Sequence, residues 1–358
     1  MSKFRSVIAG SGSYLPDEVV NNKDFLKNSF YNPDGTKFKN STSDIIEKFY
    51  AITGIKERRY ASKEIMNSDM AAFAGEKAIT AAGIDREEID YIIVAHNFGD
   101  VSKQTPIPDM VPSLASRVKH RLKINNPACV AYDIIFGCPG WVQAVIQADV
   151  FIKAGHAKKI LVIGSETLSR VADPFDRDSM IYSDGAGATL IEAVESNKEI
   201  GVLQHASMSH TNEEVLYLMM GQGFKEETKE DNYMKMNGRK IYNYALSNVP
   251  EALKKCLDIS GLHVDDVGKI LIHQANAKMD IAIADRLYKL YGYEGAPEEC
   301  IPMSIDKLGN NSVATVPMLY DLISNQLLPN HAFEKNEILL FASVGAGMNI
   351  NAFTYRVP

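Results

Sequence analysis

The chain has 358 residues, 46% of them hydrophobic, a size and composition that predict one large or two fused globular domains. A formal charge of −7 disfavours a polyanionic partner, so nucleic acid is not expected to bind. No run approaches the roughly 18 uninterrupted apolar residues of a membrane span, and the opening MSKFRSVIAGSGSYLP breaks too early for a secretory segment, so a cytoplasmic protein without membrane attachment is expected.

In chain order, MAAFAGEKAITAAG reads as a helix and YIIVAH as a strand; CVAYDIIF and WVQAVIQADVFIKAG repeat that alternation, followed by KILVIG. Further on, VPEALKKCLDISG precedes KILIHQ in the same way. The pattern is that of an α/β protein. A shift of 178 residues lays GIDREEIDYIIV from Gly83 onto GLHVDDVGKILI from Gly261. The same shift lays KILVIGS from Lys159 onto EILLFAS from Glu337, and Pro139 onto Pro317. One offset serving three segments predicts a duplicated α/β unit, with halves 1–196 and 197–358.

Ligands of α/β sheets gather at the carboxyl ends of strands, so chemistry is sought there. Cys129, Cys138, Cys256 and Cys300 are far apart, with no CxxC pair, which argues against zinc and against a disulfide framework. A single cysteine is most often a small buried hydrophobe. Cys138 differs because DIIFGCPGW places it between a strand and a helix whose first turn suits Pro139. A helix N-terminus favours thiolate, so a lowered thiol pKa is expected at Cys138. Cys129 opens a strand, Cys256 lies within a helix, and Cys300 has no evident partner. KILIHQAN sends His273 to a strand end, and Gly309, Asn310 and Asn311 form a turn before another helix. A lone histidine is usually a satisfied core or loop residue, and an asparagine turn is usually a helix cap. Thiol, imidazole and amide at three strand ends together suit covalent acyl transfer.

The motifs GCPGW, HQAN, GNNS, DPFDR and SDGAGA closely resemble those of the beta-ketoacyl-acyl-carrier-protein synthase III family of the thiolase superfamily. The likeness runs from GSGSYLP at Gly10 through TGIKERRY at Thr53 to SVGAGMN at Ser343. GSGSYL lacks the third glycine of a dinucleotide fingerprint, so that reading is rejected. The resemblance implies a thiolase-like five-layer αβαβα fold and a homodimer. It implies decarboxylative Claisen condensation of an acyl primer, on coenzyme A or carrier protein, with malonyl-acyl-carrier protein. No metal and no cofactor are implied, since coenzyme A or phosphopantetheine thioesters are the substrates.

Residue by residue, the resemblance makes Cys138 the acylated nucleophile, and His273 and Asn310 the pair that supports decarboxylation. The backbone N–H groups of Cys138 and Ala346 would hold the second oxyanion, and Gln274 and Asn276 would orient His273. Arg177 falls by the coenzyme A adenine. The tryptophan expected on the other adenine face is missing, and Lys48 or Phe49 falls near its place. The polar insert NSFYNPDGTKFKNSTS could return Phe30, Tyr31 or Phe38 to that position. Trp141 is expected either to wall the acyl pocket or to pack in the core, and Ile107 to enter the primer pocket of a partner subunit. Lys278, Arg286 and Lys289, on a helix with Ile283, Leu287 and Leu290 opposite, would face the acidic carrier protein. Fatty-acid initiation is the first expectation. The alternatives are a polyketide or alkylresorcinol ketosynthase and, from another class, a thioester hydrolase or acyl-binding subunit.

Overall fold

The computed structural model describes residues 4–104 and 107–358. Two sheets organise them. The first has the order Phe4–Tyr14, Asp184–Glu195, Lys159–Thr167, Tyr91–His96, Val130–Ile135. The second has the order Gly201–Ser209, Asn349–Arg356, Ile338–Gly345, Val267–Ile272. In each, the first two pairings are antiparallel and the next is parallel.

Helices Asn67–Ala82 and Leu114–Arg121 pack on the outer face of the first sheet, and Gly238–Ser260 and Ala277–Lys289 cover the second. Between the sheets lie Gly140–Lys153 and Thr315–Ser324. All nine residues from Thr315 to Ile323 are buried, the signature of a helix enclosed on every side. The result is the five-layer αβαβα arrangement.

The internal repeat is visible in detail. Gly83 and Gly261 end their helices with φ of 65°, a left-handed conformation in which glycine meets no Cβ penalty. Short turns Arg86–Glu88 and Val264–Asp266 follow, then the equivalent strands. GSGSY is not a nucleotide loop: it lies in a strand, with the Ser11 and Ser13 hydroxyls donating to Asp321 at 2.7 and 2.6 Å.

The repeat breaks at the strand that leads to Cys138. The 178-residue shift lays the edge strand Val130–Ile135 onto residues 308–313, which form no strand. Instead, helix Ile305–Leu308 ends at Gly309 with φ of 61°, and Asn310 bridges to Tyr182 in the first half. Asn310 N–H donates to the Ile181 carbonyl, and Ser183 N–H donates to the Asn310 carbonyl, both at 2.9 Å. Asn310 is therefore not at a strand end, as its sequence context predicted. It sits on a segment that the first half pulls out of the second sheet's edge.

Candidate active site

Strand Val130–Ile135 leads through Gly137, with φ of 66°, to Cys138; Pro139 caps helix Gly140–Lys153. Cys138 thus holds the predicted position at the start of a helix, yet its environment is dry. Burial pushes the thiol up to about 11, the Ser312 hydroxyl acts against this, and the Glu166 carboxyl adds to it. The expected lowering of the thiol pKa is corrected: desolvation outweighs what the helix start offers the resting thiol.

His273 follows strand Val267–Ile272 and prolongs its pairing through an N–H bond to the Ala342 carbonyl at 2.9 Å. Burial drives its imidazole down to about 4, with the Ser312 backbone acting in the opposite direction, so the ring is neutral at pH 7. Asn310 is buried, and its Oδ1 accepts from Ser312 N–H at 2.7 Å. With Oδ1 engaged, the Nδ2 donors are left for the cavity that Asn310 lines.

That cavity, of about 230 Å³, brings together Cys138, His273, Asn310, Ser312, Gly345 and Ala346. A Cβ on Gly345 would fall 2.7 Å from the Cys138 nitrogen, so the two backbones touch in a way that only glycine permits there. Ala346 N lies 3.0 Å from where a Cβ on Gly137 would stand. Six methionines, Met219, Met220, Met234, Met236, Met279 and Met348, also line the cavity.

A second cavity of about 420 Å³ shares Met236, Ile241, Ala275, Met279 and Asn310 with the first and opens past Arg177, Lys48 and Arg239. The Arg177 guanidinium stands 5.2 Å from the centroid of Phe38, which the polar insert delivers. Phe49 is buried with its ring 5.7 Å from the Arg58 guanidinium, and Lys48 lines the cavity wall. Phe30 is in the core and Tyr31 packs edge-on against Phe175. Of the aromatic candidates, Phe38 alone meets Arg177.

Several expectations need correction. Of the two places expected for Trp141 it takes the core, fully buried between the sheets against Phe341 and Phe353, at 6.0 and 6.2 Å. Gln274 does not hydrogen-bond to His273. Its amide donates to the Pro302 carbonyl at 2.8 Å and accepts from Ser304 N–H at 2.9 Å, anchoring the backbone beyond the histidine. Asn276 caps helix Ala277–Lys289 by accepting from Met279 N–H at 3.1 Å. Ile107 lines neither cavity of its own chain and is 75% exposed, an arrangement that does not conflict with its expected place in a partner subunit. Lys278, Arg286 and Lys289 are all exposed, and Arg286 also donates to the Leu246 carbonyl at 2.9 Å. Ile283 and Leu287 are buried as expected, but Leu290 is exposed at the end of the helix. Cys300, far from lacking a partner, accepts from the Tyr288 hydroxyl and donates to the Val267 carbonyl, each at 3.8 Å.

The sequence profile for 3-oxoacyl-[acyl-carrier-protein (ACP)] synthase III matches residues 132–210, and its C-terminal counterpart matches residues 257–357. The chain is 33% identical over 356 residues to the beta-ketoacyl-[acyl-carrier-protein] synthase III of Erythrobacter litoralis, with 99% of each covered. It is 34% identical over 351 residues to that of Staphylococcus saprophyticus, with 98% of each covered. The chain belongs to the 3-oxoacyl-[acyl-carrier-protein] synthase III family. Crystal structures of the synthase III from Aquifex aeolicus and Thermus thermophilus superpose with TM-scores of 0.80 and 0.81, at 28% and 26% identity. The alignments cover 98% and 99% of this chain, and 99% of each of those chains. Membership makes the chain an enzyme of the ketosynthase type.

Within this synthase III site, three polar residues escaped the sequence reading. Ser312 donates from Oγ to the Cys138 sulfur at 3.2 Å, and Asn97 Nδ2 donates both to Ser312 Oγ at 3.1 Å and to Glu166 Oε1. The signals were present: Asn97 directly follows the strand YIIVAH, and Glu166 is an acid inside the otherwise uncharged run ILVIGSETLS.

Proposed function

We propose that this enzyme condenses an acyl primer with malonyl-acyl-carrier protein to give a 3-oxoacyl-acyl-carrier protein at the start of fatty-acid synthesis, using Cys138, His273 and Asn310. The convergence of these three residues on one cavity, from three separate segments, is the observation that carries the reading. The Cys138 sulfur attacks the primer thioester; a C–S bond forms, the old C–S bond breaks, and the thiol proton leaves with the departing thiol. On the malonyl thioester, the bond to the carboxylate then breaks. Carbon dioxide departs, and its bonding electron pair becomes the enolate. A neutral His273 N–H and the Asn310 amide suit the enolate oxygen as preorganised donors, requiring no proton transfer of their own. The enolate carbon attacks the acyl group on Cys138, and the backbone N–H groups of Cys138 and Ala346 hold the resulting oxyanion until the thiolate leaves.

Coenzyme A or phosphopantetheine enters by the larger cavity, with the adenine packing against the Arg177–Phe38 pair. Two halves, 1–196 and 197–358, make up the fold, and two copies form the working dimer, with Ile107 reaching the partner's primer pocket. Lys278, Arg286 and Lys289 receive the acidic carrier protein. The test is incubation with acyl-coenzyme A, followed by intact-mass detection of an adduct on Cys138 and then of 3-oxoacyl product on addition of malonyl-acyl-carrier protein. Adduct without product in the presence of malonyl-acyl-carrier protein would refute a condensing role.

A further inference from the structure

Beside the nucleophile lies a continuous polar chain that the condensation scheme does not use. Glu166 stands near the end of strand Lys159–Thr167, fully buried, and its Oε2 has no hydrogen-bond partner. Its Oε1 accepts from Asn97 Nδ2, the same amide that donates to Ser312 Oγ at 3.1 Å. Since that amide occupies a lone pair of the hydroxyl, the Ser312 O–H is free to turn to the Cys138 sulfur, which it meets at 3.2 Å. Ser312 is itself held in a strained position, with φ of 50°, by its N–H bond to Asn310 Oδ1. Four residues from four separate segments are thus placed in series: carboxyl, amide, hydroxyl, sulfur.

We propose that Glu166 and Asn97 are positioning residues for Cys138, fixing the Ser312 hydroxyl as a donor to the sulfur and, through the charge of Glu166, setting how readily the thiolate forms. Two opposing effects follow from one chain. The aligned hydroxyl stabilises a sulfur anion, and a carboxylate so near disfavours one. Glu166 is itself pushed up to about 8, chiefly by burial and in part by Asp184, so its charge changes within the working range of a neutral enzyme. The other ionisable groups around the chain are few. Asp184 is held by the Ser169 hydroxyl and flanked by Arg170, Tyr182 and His273 face the sulfur's cavity, and His96 beside Asn97 is paired with Asp133 at 3.0 Å. None of these interposes between Glu166 and the sulfur in the hydrogen-bonded series.

The experiment reads the thiol and not the condensation, so its failure is distinct from failure of the proposed reaction. The rate of Cys138 alkylation by iodoacetamide is followed by intact mass from pH 6 to 11 for the full-length protein and the variants E166Q, N97A and S312A. Glu166→Gln keeps an acceptor for Asn97 but removes the charge. Its profile should move to lower pH by roughly one unit. Ser312→Ala removes the donor and should move the profile upward, and Asn97→Ala, at the cavity wall, should move it in the same direction as Ser312→Ala. A Glu166→Gln profile superimposed on the parent's would overturn the electrostatic part. Should that variant fail to fold, Asn97→Ala decides alone: an unshifted profile with an unchanged melting temperature overturns the proposal, and an upward shift supports it.

Discussion

The Gly345 backbone lies so close to Cys138 that a methyl group on it would fall 2.7 Å from the Cys138 nitrogen and 2.9 Å from its Cβ. The same methyl would meet Pro139 Cδ at 2.7 Å. These neighbours are a backbone nitrogen, a Cβ and a ring carbon at a helix start and cannot swing aside, so Gly345→Ala must displace the nucleophile or the strand Ile338–Gly345. The expected result is a soluble protein whose acylation of Cys138 falls by on the order of 10²-fold, the cost of misplacing a reacting atom by about 1 Å. Intact-mass time courses with acyl-coenzyme A give the rate, and a rate within a few-fold of the parent would show that the contact is not needed.

Cys138→Ala should abolish the acyl adduct, whereas the other three cysteines are all buried away from the cavity. Cys129→Ala, Cys256→Ala and Cys300→Ala should each label normally, at some cost in stability from the lost packing. Stable labelling of the Cys138→Ala protein would defeat the assignment.

His273→Ala and Asn310→Ala should separate the half-reactions. Each variant removes one donor to the enolate oxygen, so condensation should fall by on the order of 10² or more while Cys138 still accepts an acyl group. The measurement is 3-oxoacyl product formed from enzyme that has already been acylated. The same assay gives a pH test. Because burial takes the His273 imidazole down to about 4, the ring remains neutral where an ordinary histidine would be half protonated. Condensation by acyl-enzyme should therefore retain its histidine-dependent rate down to about pH 5; a fall with a midpoint near 6.5 would place the imidazole in a far wetter site.

The sequence made Cys138 and His273 legible because both follow apolar runs that end at a turn, and strand ends are where α/β proteins place chemistry. Asn310 was legible as a residue but not as a position, since its segment departs from the repeat to bridge with Tyr182. Trp141 was left between cavity wall and core, and Gln274 was placed toward His273 by resemblance; adjacent residues at a helix start or strand end point in different directions, and here Trp141 turns into the core and Gln274 toward Pro302. The members of the Cys138–Ser312–Asn97–Glu166 series left individual signals in the sequence, but their connection did not, because they meet only in space, with Asn97 and Ser312 separated by 215 residues. The thiol pKa was misjudged because a helix start can be read from sequence, whereas desolvation depends on every wall of the cavity.

The last prediction concerns recognition of the primer carrier. The chain has a single tryptophan, at Trp141 in the core, so no indole is left to stack on an adenine. On that ground alone a weakened nucleotide site would follow. The structure supplies another aromatic face, because the insert places Phe38 at 5.2 Å from the Arg177 guanidinium, at the mouth of the larger cavity. An aromatic face on a base contributes roughly 1 to 3 kcal/mol in nucleic-acid systems, and a guanidinium stack is a comparable contact. A coenzyme A thioester should then exceed the same acyl chain on pantetheine in kcat/KM by 100-fold or more, or ~2.7 kcal/mol of adenine and phosphate recognition. Phe38→Ala should reduce this ratio by about 10-fold and leave the pantetheine thioester unaffected, since pantetheine has no adenine to stack. Arg177→Ala should reduce the ratio by more, because the guanidinium also offers charge to phosphate. If Phe38→Ala lowers both substrates equally, Phe38 supports the cavity wall rather than the nucleotide, and the insert does not replace the missing tryptophan.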